Sequence, residues 1–381
     1  MSKEVLLPLV ISRLALMLVG WLAMSMLHQP ARPGIWEIGR SGKIEPIEGQ
    51  ISTQNRPLTN MWSRWDAGWY AGIAENGYQF TAGRPSNVAF FPIYPLSMRV
   101  VRALLASHKG SAWMLAGIIV SNTALAVALI YLWLLVRLEF DEATARRAVL
   151  YLLVFPMTLF LSAVYSESVF LACAIASFYH ARRQQWWLAG LLGACTALSR
   201  PTGVMIAVGL AAEYALQCEW NWRKLRPDIL AIALVPLALA GFLAFLHYAE
   251  GSATAVVQAQ EAWGLRLQPQ WRTLAPFFVS GLDVKGTLVD LGFTLGYLAL
   301  VIAVCFRMRA SYALYSVAYL LFITMWGSLE SVARYGLGLF PVIMLLALLG
   351  RNAVFDRIYL PISAALAALF MAVFAVWGWV A

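Results

Sequence analysis

Read along the chain, apolar runs long enough to cross a bilayer alternate with short polar breaks. The first run covers residues 5–27. It is longer than the apolar core of a signal peptide and has no convincing small-residue cleavage site, so it reads as a retained first span. A more polar stretch rich in Pro and Gly occupies residues 28–110. Further spans fall at roughly 111–137, 147–164, 167–181, 185–199, 202–217, 229–249, 286–306, 311–328, 335–350 and 358–379. The pattern predicts an all-α polytopic membrane protein of about eleven transmembrane helices. It forms a single transmembrane domain over residues 1–381, with a long external first loop at 28–110 that carries interfacial helices. Residues 90–108 are apolar enough to resemble one more span. However, Leu96, Val100, Val101, Leu104 and Leu105 share one helical face while Arg99 and Arg102 lie on another, the pattern of a helix lying in the membrane interface.

Composition supports this reading: 61% of the residues are apolar and only 12% charged, outside the usual range of soluble domains. The 28 Lys and Arg exceed the 19 Asp and Glu, but they are scattered in small clusters between apolar runs, which points to membrane topology and away from nucleic acid. With the N-terminus in the cytoplasm, the breaks holding Arg137, Arg146 and Arg147, then Arg182 and Arg183, then Arg223, Lys224 and Arg226, then Arg307 and Arg309, then Arg351 and Arg357 all fall inside. The opposite set is external: the long loop, the turn at Tyr165, the turn at Arg200, residues 250–285 and the turn at Arg334. Cys173, Cys195, Cys218 and Cys305 have no paired spacing, so four free thiols are expected.

The external breaks hold the candidate chemistry. The loop contains RWDAGWYAGIAENGY, where Asp66 sits among Trp62, Trp65, Trp69 and Tyr70, residue types that favour the interface. Asp66 is either the N-cap of a short helix within an aromatic belt or a carboxylate held at the bilayer surface for chemistry. Glu167, in AVYSESVF beside Tyr165, is either a helix-terminal acid favoured by the dipole or a site residue. Arg200, in LSRPTG, precedes Pro201, which disfavours helix at Arg200 and suits the first turn of the next helix. Residues 186–199 make only about 21 Å of helix, so the turn at Arg200 is expected below the membrane surface. A guanidinium beside a helix N-terminus at that depth is an anion site, with phosphate as the natural ligand. In SLESVARYG, Glu330 and Arg334 are spaced to pair on one helical face, as a structural salt bridge or as site groups, with Tyr335 beside them. The segment QAQEAWGLRLQPQW, with Gln258, Glu261, Trp263 and Arg266, suits a cover for a lipid-linked or sugar ligand, or a linker. Ionisable residues near spans are costly and usually functional, and these share one side. Two acids and two arginines at a lipid interface suit group transfer from an anionic lipid: an acid takes the acceptor's proton while guanidinium groups stabilise the departing phosphate. There is no DxD motif and no His cluster, so no metal or other cofactor is expected.

The order RWDAGWYAGIAENGY, FFPIYPLSMRVV, FPMTLFLSAVYSESVFL and ALSRPTG, with weaker echoes at QAQEAWG and ARYGLGLFP, resembles the PIG-V family of GPI-anchor mannosyltransferases. It looks like a shorter, bacterial relative. The resemblance implies a GT-C type membrane glycosyltransferase that uses a polyprenyl-phosphate sugar donor, with Asp66 as the catalytic acid of the first external loop. Trp65, Tyr70, Tyr165, Glu167, Arg200, Trp263, Glu330, Arg334 and Tyr335 form the expected substrate-binding set around it. The implied reaction is an inverting, metal-independent transfer on the external or luminal side of a bacterial plasma membrane, or of the ER membrane in a eukaryote. A bacterial relative has no GPI precursor to mannosylate, which leaves the acceptor open among glycan, lipid and protein. A transporter or flippase of lipid-linked sugars is the competing reading, although no internal repeat is visible. A non-catalytic subunit of a glycosylation complex, or an enzyme needing a partner subunit, is the third.

Overall fold

A computed structural model describes residues 2–27, 36–38, 44–46, 57–105, 111–279 and 288–380. The first helix, α1, is Ser2–Met26. In the expected loop, strands Trp36–Ile38 and Ile44–Pro46 pair antiparallel, and the helices α2 (Pro57–Asn60), α3 (Ala67–Asn76) and α4 (Ile93–Leu104) follow. Residues 28–35, 39–43, 47–56 and 106–110 of that loop lie outside the described residues. The remaining helices are α5 (Ser111–Glu139), α6 (Glu142–Val154), α7 (Glu167–Arg182), α8 (Trp186–Ala197), α9 (Ile206–Gln217), α10 (Leu234–Glu250), α11 (Ala255–Ala262), α12 (Gln270–Val279), α13 (Leu288–Arg307), α14 (Ala310–Thr324), α15 (Val332–Tyr335), α16 (Phe340–Leu349) and α17 (Ala353–Ala375).

Each expected span contains a helix, though not always along its whole length, and the helices are of two kinds. Among the described residues, five helical segments are long and apolar enough to cross a bilayer: Lys3–Met26, Ala112–Glu139, Pro227–Glu250, Leu288–Arg307 and Ala353–Ala375. Their outer faces expose aliphatic side chains such as Leu7, Ile11, Leu14 and Leu18 of α1 and Leu295 and Ile302 of α13, as lipid-facing helices do. The chain is a multi-pass integral membrane protein. The others are shorter, and proline accounts for two of the breaks. Phe155, which precedes Pro156, is extended at ψ 140° and ends α6, because proline clashes with helical geometry at the residue before it. Arg200 before Pro201 is extended in the same way. A further expected span, 335–350, is broken: Val332–Gly338 meets Phe340–Leu349 at 82°.

The short helices form the middle of the bundle. α7 is buried along nearly its whole length and packs on α5 and α8. Its C-terminal end is tied down by Glu213 of α9, fully buried, which binds Arg182 of α7 at 3.1 Å and Arg309, at the head of α14, at 2.8 Å. A buried carboxylate is tolerated only with such partners. α4 exposes Leu96, Val100 and Leu104 as one stripe and buries Tyr94 and Met98, while Arg99 turns inward to the carbonyl of Ala74 on α3. The four cysteines are free thiols.

Candidate active site

The N-terminal end of α7, the turn after α8, the turn before α3 and the broken α15 meet at the other end of the bundle. The turn before α3 is unusual. Trp65 has a left-handed backbone, φ 52°, which a bulky residue adopts only when its surroundings impose it. Asp66 stands at the N-cap position of α3, yet its side chain makes no capping bond. Its Oδ2 accepts instead from Arg334 Nη1 at 2.6 Å. The carboxylate is thus given to an ion pair with α15 and not to its own helix. Tyr165 fastens the turn from α7's side: its hydroxyl donates to the Arg64 carbonyl at 3.1 Å and accepts from the Asp66 N–H at 3.2 Å. One turn into α3, the Tyr70 hydroxyl bonds Ser166 Oγ at 2.8 Å. Burial pushes the Tyr70 phenol above its ordinary range, and the Glu167 carboxylate adds to the push, so it stays protonated at neutral pH.

Glu167 opens α7 and is 3% exposed. It pairs with Arg200 and lies 3.6 Å from Arg334 Nε. Arg200 reaches it because its turn folds back tightly on α8. A Cβ at Gly203 would sit 2.1 Å from the Thr196 carbonyl oxygen, so only glycine permits this approach. Arg334 reaches both acids because Ser331, at φ 69°, redirects the chain just before the one-turn helix Val332–Tyr335. The helical spacing read for Glu330 and Arg334 therefore does not apply: the helix begins after Glu330, and Arg334 makes its ion pairs with Asp66 and Glu167. Aromatic rings surround both cations. The Arg334 guanidinium carbon is 5.1 Å from the ring centres of Tyr165 and Tyr335, and Arg200 lies 4.6 Å from Tyr335. Such contacts stabilise a cation out of water.

These groups border a cavity of about 190 Å³. Of the residues expected from sequence, Asp66, Tyr70, Arg200, Trp263, Glu330, Arg334 and Tyr335 line it. Trp65, Tyr165 and Glu167 stand behind this wall, touching lining residues. Trp263, 42% exposed, meets Trp69 edge-on at 5.7 Å at the end of α11. Gln260, Trp326, Ser328 and Trp379 also line the cavity. Gln260 and Ser328 lie in segments singled out from sequence for their charged residues, whereas Trp326 and Trp379 carry no charged or proline-marked signal beside them. Among the buried polar atoms here, the indole N–H of Trp65 has no hydrogen-bond partner and Oε2 of Glu167 accepts no hydrogen bond. Buried polar atoms are costly when unsatisfied, and their clustering beside one cavity marks it as a place for a polar ligand. Among the described residues, no three His, Cys, Asp or Glu side chains group to hold a metal ion.

The sequence matches the family described as Mannosyltransferase (PIG-V) over residues 2–255. GPI alpha-1,6-mannosyltransferase 2 of Mus musculus is 29% identical over 215 residues, which cover 51% of this chain and 42% of that protein. GPI mannosyltransferase 2 of Cryptococcus neoformans is 30% identical over 204 residues, covering 49% of this chain and 46% of that one. The chain thus spans less than half the length of these curated relatives. Solved structures share only a distant likeness. ArnT from Cupriavidus metallidurans bound to undecaprenyl phosphate is 14% identical with a TM-score of 0.48, over 97% of this chain and 76% of that one. Archaeal oligosaccharyltransferase AglB from Archaeoglobus fulgidus, in complex with an inhibitory peptide and a dolichol-phosphate, is 14% identical with a TM-score of 0.44, over 97% and 55%. The family match takes in well over half of the chain, including the motifs around Asp66, Glu167 and Arg200, and the chain belongs to the Mannosyltransferase (PIG-V) family.

Proposed function

We propose that this protein is a GT-C type membrane glycosyltransferase, working as one transmembrane domain, that moves a sugar from a polyprenyl-phosphate donor to an acceptor hydroxyl. Mannose is the sugar proposed, from the family and from relatives described as mannosyltransferases. The observation that carries this reading is the interlocked set of two acids and two arginines at the cavity, with Asp66 on Arg334 at 2.6 Å and Glu167 between Arg200 and Arg334. The acceptor oxygen attacks the anomeric carbon. The bond from that carbon to the phosphate oxygen breaks, and its electron pair leaves with the polyprenyl phosphate. The acceptor's proton passes to Asp66, and one displacement inverts the anomeric centre. Arg200 and Arg334 hold the phosphate and take up its developing charge. Without donor, Arg334 is paired with Asp66, and an arriving phosphate competes for that guanidinium and frees the carboxylate to face the acceptor.

An apolar groove of about 420 Å³, lined by Ile73, Tyr78, Pro95, Leu96, Leu198 and Phe242 among others, supports a prenyl chain as the donor's tail. Leu198 borders the groove and Ser199 borders the cavity, so a phosphate on Arg200 would sit beside its own lipid. The two guanidiniums supply the positive charge the leaving phosphate needs, and the transfer is proposed to run without a metal. The distribution of basic breaks favours a site on the non-cytoplasmic face, of a bacterial plasma membrane or of the ER in a eukaryotic host. The acceptor is a glycan, lipid or protein, and a partner subunit is compatible with the family reading.

The test is transfer by the purified protein in lipid, given polyprenyl-phosphate mannose labelled in the sugar and a membrane extract as acceptor source. The expected result is label on an acceptor with inverted anomeric configuration, free polyprenyl phosphate in equal amount, and no loss of rate with a chelator. Intact donor carried across the bilayer without cleavage would replace this reading with a lipid-linked sugar transporter.

A further inference from the structure

The family match ends at residue 255, yet the cavity is closed from the far end of the chain. α17 ends at Ala375, and the chain reverses through a capping turn: the Trp377 N–H donates to the Phe374 carbonyl at 3.1 Å and the Gly378 N–H to the Val373 carbonyl at 2.8 Å. The left-handed position of such a cap is ordinarily glycine, but here it is Trp377, at φ 69°. Its counterpart is Trp65, the other left-handed tryptophan beside the site, at φ 52°. The two strained residues meet. Trp65 lies edge-on to Trp377 at 6.0 Å and to Trp379 at 5.2 Å. Strained backbone persists only where its surroundings over-determine it, and it clusters at functional sites.

Arg64, next to Trp65, holds this junction. It is fully buried. Its Nη2 donates to the Ala375 carbonyl at 2.7 Å and its Nε to the same oxygen at 3.2 Å, across 311 residues of sequence. It also binds Asn60 Oδ1 and lies 4.4 Å from the Trp377 ring centre. A cation suits the last carbonyls of a helix, where the dipole is negative. Thus three successive residues each make one anchor: Arg64 to the end of α17, Trp65 to the indoles beyond it, and Asp66 to Arg334. Trp379 completes the circuit by lining the cavity with its ring centre 5.9 Å from the Arg334 guanidinium.

We propose that Arg64, Trp65, Trp377 and Trp379 form a latch that joins the end of α17 to the Asp66 turn and so fixes the Asp66 carboxylate against Arg334. Arg64 and Trp379 are positioning residues acting through Asp66. Their importance for turnover rests on the transferase reading above, whereas the placement of Asp66 does not. The test uses the full chain in lipid and two readouts. The first is labelling of Asp66 by a hydrophobic carbodiimide, which attacks a protonated carboxyl and spares one held in an ion pair, mapped by mass spectrometry. The second is kcat and donor KM for polyprenyl-phosphate mannose.

Arg64→Met is expected to raise Asp66 labelling and lower kcat by about tenfold each while donor KM changes little, and Arg64→Lys to restore part of both. Trp379 is 38% exposed, so Trp379→Ala should fold even where Arg64→Met does not, with the same two changes and an unchanged unfolding midpoint. Asp66 labelling and kcat that stay at wild-type values in a folded Arg64→Met or Trp379→Ala protein would overturn the latch. Labelling that rises while even the wild type transfers no sugar would uphold the latch and remove the transferase reading.

Discussion

Glu167 carries its charge almost wholly out of water, held by Arg200 and by Arg334, and Arg334 also holds Asp66. Each arginine therefore has a structural partner to lose besides the phosphate it is proposed to bind. Removing one member of a buried pair costs about 3–5 kcal/mol, mostly because the other is left uncompensated. Arg334→Ala should lose that order of stability together with donor affinity. The double variant Arg334→Ala with Asp66→Asn should regain part of the stability and none of the turnover. Unfolding curves and polyprenyl-phosphate binding on the three proteins check this, and normal stability with normal donor affinity in Arg334→Ala would count against both roles. At this scale the sequence was informative where a charged residue sat at the edge of an apolar run, because such a residue is expensive there and must have a reason. Glu167, Arg200 and Arg334 stood out on that ground, and Asp66 by its place among interfacial aromatic residues. Trp379 and Gln260 did not, since an indole or an amide near a helix end is ordinary until the fold carries it to the cavity.

The elements that deliver these side chains are the short ones. α8 has 12 residues and α7 has 16, about 18 and 24 Å of helix, so their ends fall short of the ends of α5 or α17, and polar groups can gather between the longer helices. The shortness of α8 and the turn at Pro201 were legible from residue count and proline chemistry. Two features were not. The break of α6 at Pro156 was hidden inside a run apolar enough to pass for one span, and the approach to α15 depends on a left-handed Ser331, which neither spacing nor hydropathy reveals. Gly203 tests the element-level account, because its missing Cβ lets the Arg200 turn lie on the Thr196 carbonyl. Backbone cannot yield as a side-chain tip can, so Gly203→Ala should cost about 1–3 kcal/mol. It should also weaken polyprenyl-phosphate binding, although the residue touches no charged group of the site. Unchanged stability and donor affinity would show that the turn has room to shift.

Over the whole molecule, the described residues arrange the site from both halves of the chain: Asp66, Glu167 and Arg200 lie within the family match, while Arg334 and Trp379 come from beyond it. The helical membrane fold was legible because hydropathy and the distribution of Arg and Lys depend on the bilayer and need no tertiary detail. The joining of the two halves was not, because it rests on ion pairs such as Asp66 with Arg334 that span 268 residues. That ion pair is central to the proposed reaction, in which the carboxylate is the proposed base and the guanidinium the proposed phosphate holder. The direct test is release of polyprenyl phosphate from polyprenyl-phosphate mannose, with a membrane-extract acceptor present, compared between wild type and Asp66→Asn in lipid. The predicted result is release that requires acceptor and falls by about 10² to 10⁴ in the variant, with folding intact. Release that proceeds undiminished in Asp66→Asn would contradict the assignment of Asp66 as the base.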